Sequence, residues 1–139
     1  MKIKEIQEEI VDEFSMFDDW MERYEYIIEL GKKLPLIKEE FKTENNLIKG
    51  CQSKVWLQGE QTDDKIVFTA DSDAILTKGI IAILIRTFSN QKASDILEAD
   101  MGFIDEIGLK EHLSPTRANG LVSMIKNIKM YALAFNAQN

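Results

Sequence analysis

Cysteine is nearly absent from this chain: Cys51 stands alone among 139 residues, and His112 is the single histidine. One thiol excludes an intrachain disulfide, and one thiol with one imidazole is too few for a structural zinc site or an iron–sulfur cage. Seven scattered glycines form no phosphate-cradling GxGxxG or GxxxxGK pattern. Long apolar runs are missing as well: the longest, Gly79–Ile85, is far shorter than a membrane span. The first residues, MKIKEIQEEIVDEF, interleave charges with apolar side chains and do not read as a signal peptide. Excess positive charge is lacking too. Seventeen Lys and Arg against 24 Asp and Glu give a net charge of −7, which disfavours nucleic acid or an anionic membrane as the main partner. The expected compartment is the cytoplasm, where a lone thiol stays reduced.

What is present reads as a single domain over residues 1–139, long enough to bury its own core. Ile3, Ile6, Ile10, Phe14 and Phe17 recur at steps of three and four and predict a first helix. Asp18 or Asp19 caps a second, reaching about Lys33 with Trp20, Tyr24, Ile27, Ile28 and Leu30 on its inner side. The period changes to two at Ser53–Gln58, and a return strand follows over Lys65–Ala70, with 59–64 as a polar turn. A third strand is expected from within residues 44–50, since two alone are marginal. Asp71-Ser72-Asp73 then caps an apolar helix over Ala74–Phe88, where Gly79 asks for a close neighbour. Short helical pieces are expected near 93–99 and 103–112. Ser114-Pro115-Thr116 starts the last helix, which runs to about Ala137 and buries Leu121, Ile125, Ile128, Ala132 and Phe135. The order gives an α+β fold.

For chemistry the informative point is Cys51, after Gly50 and before Gln52-Ser53, where a loop feeds a strand. Gly50 lets the backbone turn and leaves the sulfur uncrowded, and the flanking Lys49 and Lys54 favour a thiolate by charge proximity. On these residues alone a small buried apolar cysteine stands beside the nucleophile. So does a cysteine hydrolase, which needs His112 as its base. Asp73 is read as a helix cap, Arg117 as a first-turn residue of the last helix, and Trp56 as a core or sheet-face aromatic.

The segment Ile48-Lys49-Gly50-Cys51-Gln52-Ser53-Lys54-Val55-Trp56-Leu57 resembles the signature of the SufE family, sulfur acceptors for cysteine desulfurases. Two further stretches are similar to the family pattern: Ala70-Asp71-Ser72-Asp73-Ala74 with Lys78-Gly79, and Leu113-Ser114-Pro115-Thr116-Arg117 with Asn119-Gly120-Leu121. Lys54 departs from the glutamine that relatives often carry. The resemblance implies an IscU/NifU-like fold, a small antiparallel three-stranded sheet with helices packed on one side. It implies that Cys51 takes persulfide sulfur from a SufS-type desulfurase and passes it to the SufBCD scaffold, with Gly50, Gln52, Ser53, Asp73 and Arg117 as loop or supporting residues. It implies no cofactor on this chain, the pyridoxal phosphate belonging to the partner, and it allows a homodimer. A CsdE-type paralogue serving another desulfurase, and a pure interaction module with an incidental thiol, remain alternatives at this stage.

Overall fold

Amphipathic spacing places the first two helices, α1 (Ile3–Ser15) and α2 (Trp20–Gly31), in a computed structural model that describes residues 2–137. Helix α1 turns Ile3, Ile10 and Phe14 inward. Gln7 lies on the same face, and its side-chain amide donates to the Asp100 carbonyl at 2.8 Å, so the buried polar group is paired. Asp19 caps α2, its carboxylate accepting from the Met21 N–H at 2.9 Å.

Strands β1 (Val55–Thr62) and β2 (Lys65–Ser72) form an antiparallel hairpin in register from Val55 opposite Ser72 to Thr62 opposite Lys65. The expected turn over 59–64 shrinks to Asp63-Asp64, with Asp63 at φ 58°. Gly59 belongs to the strand because aromatic rings press on it: a Cβ there would lie 2.9 Å from the Phe68 ring and 3.1 Å from Tyr131. The third strand is not drawn from 44–50. It is β3 (Gln91–Lys92), which pairs with Lys65 and Ile66 of β2. The 44–50 segment gives a 3-10 turn at Glu44–Asn46 and a single bridge from Leu47 to Trp56. The sheet thus has three antiparallel strands in the order β1-β2-β3.

Alternation along the hairpin buries Val55, Leu57, Ile66, Phe68 and Ala70 on one face, against helices α3 (Ile75–Phe88) and α7 (Pro115–Ala137). Trp56 lies on the other face, where the Lys42 ammonium sits 5.5 Å above its ring. Helix α3 is buried along most of its length, from Thr77 to Phe88. It meets α2 where two glycines face each other: a Cβ on Gly31 would stand 2.9 Å from the Gly79 nitrogen, and one on Gly79 would overlap the Ile27 carbonyl. On its other side Arg86 bridges to Glu9 at 3.1 Å and to Glu13 at 2.6 Å. Tyr26 donates its hydroxyl to Glu13 as well. The Arg86 guanidinium keeps the Glu13 carboxyl below the usual carboxylate range.

Between β3 and α7 the chain makes three short helices, α4 (Ala93–Glu98), α5 (Gly102–Glu106) and α6 (Leu109–His112). The helix expected over 103–112 is split by Gly108, whose φ of 78° is left-handed and ends a helical run. Ser114 caps α7 as expected, accepting from the Arg117 N–H at 3.3 Å. Helix α7 buries Leu121, Met124, Ile128 and Ala132, while Ile125 and Phe135 are half-buried. These apolar side chains join those of α1–α6 and the sheet in one continuous cluster. No helix among the described residues is long and apolar enough to cross a membrane.

The α2–α3 crossing supplies a first prediction. Gly79→Val forces a branched side chain into the backbone of α2 and should destabilise the fold by about 1–3 kcal/mol, the usual cost of overpacking. Urea unfolding reads the change as a lowered midpoint, and a wild-type midpoint would contradict the backbone-to-backbone packing.

Candidate functional site

The loop that carries the cysteine is closed at its base by the sheet. Ile48 N–H donates to the Val55 carbonyl at 2.8 Å, and Leu47 bridges to Trp56. Because Val55 pairs with Ser72, the end of the loop lies beside the end of β2, where Lys54 is held by three hydrogen bonds. Its N–H donates to Asp73 Oδ1 at 3.0 Å, and its carbonyl accepts from Asp73 N–H at 3.2 Å and from Ser72 Oγ at 2.8 Å.

This geometry corrects the reading of Asp71-Ser72-Asp73 as a helix cap. Ala74 is the N-cap of α3 and makes no side-chain cap bond. Ser72 Oγ accepts from Ala74 N–H at 3.2 Å. Asp71 pairs with Lys42 at 2.7 Å and Lys78 at 3.3 Å. Asp73 fastens the loop instead of the helix.

Between these fixed ends the chain turns at Gly50, at φ 94°. A Cβ there would lie 2.5 Å from Ser123 Oγ on α7, a side-chain tip that can turn aside, so it is the left-handed backbone that favours glycine here. The turn directs Cys51 towards α7. Its Sγ lies 3.7 Å from the Gly120 carbonyl, and a Cβ on Gly120 would stand 3.3 Å from that sulfur. Beside the thiol is a pocket of about 230 Å³, walled by Thr77 and Ile80 of α3 and by Arg117, Gly120 and Met124 of α7. Ser53 donates its hydroxyl to Thr77 Oγ1 at 3.2 Å. Gln52 lines the mouth and is exposed, as is Arg117.

Electrostatics at the thiol run opposite to the expectation from Lys49 and Lys54. Both lysines are exposed, and burial alone pushes the Cys51 thiol up from its ordinary value. In this position the sulfur is held as a thiol. His112 does not wall the pocket. Its ring stacks on Trp20 at 3.9 Å and its Nδ1 lies 3.0 Å from the Gly108 carbonyl. The base that a cysteine hydrolase needs is therefore not among the residues lining this pocket. Trp56 is likewise absent from its wall and remains a sheet-face residue. A wider groove of about 1360 Å³ between α1 and the β3–α5 region has neither cysteine nor histidine in its lining. Among the described residues no group of three or more His, Cys, Asp or Glu could hold a metal ion.

Sequence reasoning brought Gly50, Cys51, Gln52, Ser53, Asp73 and Arg117 together, and all six lie on the loop, at its fastening or on the pocket rim. It passed over Thr77, Ile80, Ser123 and Met124, and it took Gly120 only as part of a motif. Gly120 did carry a signal, because a glycine inside a helix costs about 1 kcal/mol against alanine and calls for a packing reason.

Fold and site together define a small α+β domain that presents one half-buried thiol on a tight, glycine-turned loop beside a pocket. A sequence model of the SufE family, described as a Fe-S metabolism associated domain, matches residues 8–132. An uncharacterised SufE-like protein of Rhizobium meliloti (strain 1021) is 44% identical over 130 residues, covering 90% of this chain and 93% of the relative. A second, from Rhizobium etli, is 43% identical over 127 residues, covering 88% and 86%. A hypothetical protein of Thermus thermophilus, solved in solution, superposes with a TM-score of 0.79 at 17% identity, over 95% of this chain and 96% of that one. At that identity the likeness is one of fold. The chain belongs to the SufE family, and with membership come a sulfur-transfer role in iron–sulfur metabolism and interaction with a cysteine desulfurase.

The raised thiol gives a prediction about pH. Burial favours the neutral form, so the folded protein keeps its proton to a higher pH than the unfolded chain does. Folding stability from this group is full below the unfolded pKa and falls as pH rises through the folded one. Alkylation of Cys51 by iodoacetamide, followed by mass spectrometry, should therefore set in at higher pH in the native protein than in urea. A native profile lying below the unfolded one would return control of the thiol to the lysines.

Proposed function

We propose that Cys51 accepts sulfur as a persulfide from a SufS-type, pyridoxal-phosphate-dependent cysteine desulfurase and delivers it to a SufBCD-type scaffold in the cytoplasm. The observation that carries this reading is a single half-buried thiol on a loop with fastened ends and a left-handed glycine turn, facing a pocket with room for a further sulfur atom. Release of sulfur from cysteine is assigned to the partner's cofactor, and this chain contributes the acceptor.

In the transfer step the Cys51 thiolate attacks the outer sulfur of the desulfurase's cysteine persulfide. A new Sγ–S bond forms as the donor S–S bond breaks, and the donor cysteine leaves as a thiolate. The moving sulfur keeps its oxidation state, so no oxidant or reductant is consumed. The Cys51 proton departs to solvent when the loop carries the thiol out, since burial is what holds it on. The product persulfide then returns to the pocket, away from solvent thiols. With no second cysteine in the chain, nothing within it can attack that persulfide and close a disulfide. Asp73 keeps the rear of the loop fixed while the front moves. Arg117, at the rim and exposed, offers a positive charge to the perthiolate anion. Gln52, Lys49 and Lys54 are exposed around the thiol and meet the desulfurase first.

Incubation with a SufS-type desulfurase and free cysteine should add one sulfur to the intact mass of the wild type and none to Cys51→Ser. Absence of added sulfur on the wild type would overturn the proposal. Gly50→Val should remove the parked geometry, because a β-branched residue at left-handed φ costs about 1–2 kcal/mol. The persulfide on that variant should then be stripped by dithiothreitol about tenfold faster, read as loss of the added mass with time.

A further inference from the structure

The ties that hold the cysteine loop are not equivalent. Those at its ends, Ile48 to Val55 and Lys54 to Asp73 and Ser72, join the loop to the hairpin, outside the residues that carry the thiol. Within the moving part, the contact from Cys51 Sγ to the Gly120 carbonyl is 3.7 Å long, and a thiol is a weak donor. What remains is Ser53, whose hydroxyl donates to Thr77 Oγ1 at 3.2 Å.

Thr77 cannot follow the loop. It is 7% exposed and sits in α3, the helix most deeply embedded in the core. It stands on a mostly apolar inner face that continues with Ile80 and Ile81, and a buried hydroxyl in such a place calls for a partner. Ser53 is that partner, and it lies two residues from the thiol. An outward movement of Cys51 that carries Ser53 with it parts the two hydroxyls.

We propose that the Ser53–Thr77 hydroxyl pair is the latch that sets how often the Cys51 loop leaves its pocket, with Thr77 a positioning residue for sulfur transfer. The role in transfer rests on Cys51 being the acceptor; the latch itself does not. Water entering the vacated pocket re-pairs part of what is lost, so the latch holds the opening equilibrium back by about twofold to tenfold, the net worth of one hydrogen bond.

The test is the rate at which iodoacetamide alkylates Cys51 at one pH. Thr77→Val keeps the shape and removes the hydroxyl, and Ser53→Ala removes the other half from outside the core. Each should speed alkylation about twofold to tenfold, and the double variant should be no faster than either alone. Thr77→Ser should restore the wild-type rate, and in urea all variants should react alike. A wild-type rate in both single variants, or rates that multiply in the double, would overturn the latch. If Thr77→Val loosens the whole fold, seen as a lowered urea midpoint, Ser53→Ala decides. Sulfur uptake from the desulfurase is scored separately. Faster alkylation with no uptake by the wild type leaves the latch and removes the carrier, whereas normal uptake with unchanged alkylation does the reverse.

Discussion

The three hydrogen bonds that fasten Lys54 to Ser72 and Asp73 set everything else about the site. They exist because the hairpin register pairs Val55 with Ser72, which leaves the next residue on each strand side by side. A loop tied at both ends loses most of its conformational freedom before the protein meets any partner. The thiol then has few places to go, and the left-handed turn at Gly50 selects the one against Gly120. Without that fastening, the chain from Gly50 to Ser53 would sample many positions and the pocket would hold the sulfur only part of the time.

Shelter and reactivity pull in opposite directions at Cys51. In the pocket the sulfur is screened from solvent thiols, and the same burial keeps its proton on, so the sheltered form is the weaker nucleophile. The flanking lysines do not offset this, because their charges are solvated outside the pocket and water screens them. The same position thus both screens the thiol and lowers its nucleophilicity. The chain's net charge of −7 leaves Lys49 and Lys54 as a local exception around the thiol.

The long elements were legible because their periodicity is strong. Helices α1, α2, α3 and α7 follow from apolar spacing and from the caps at Asp19 and Ser114, and the hairpin follows from its alternation. Strand β3 was not legible: Gln91–Lys92 is too short to show a period, and tertiary pairing with Lys65 and Ile66 creates it. Gly59 read as part of a turn because residues 59–64 are polar, whereas here it belongs to the strand and makes room for Phe68 and Tyr131. At the site the motif around Cys51 was plain, yet the walls were not. Thr77 and Gly120 come from distant helices, and only their packing shows that they meet the loop. The lysine effect was misjudged because sequence proximity to a thiol says nothing about which charges stay in water.

The division between stability and chemistry in this domain follows from which element each residue occupies. Helix α3 is both the centre of the core and one wall of the pocket. Changes at Ile80 or Gly79 therefore act on folding first and on the site through it. The loop contributes little to the core: Gly50 and Gln52 are exposed, and Cys51 and Ser53 are half-buried. Of these only Cys51 packs against the core cluster, so substitutions at Gly50 or Gln52 act on the loop before the core. Thr77 is the point at which the two kinds of effect touch, since its backbone belongs to the core helix and its hydroxyl to the loop. A fold arranged in this way can keep its framework while loop and rim residues vary to suit a particular desulfurase. The shared framework at 17% identity with the Thermus thermophilus protein accords with a core that tolerates exchange of apolar residues as long as volume and pattern are kept.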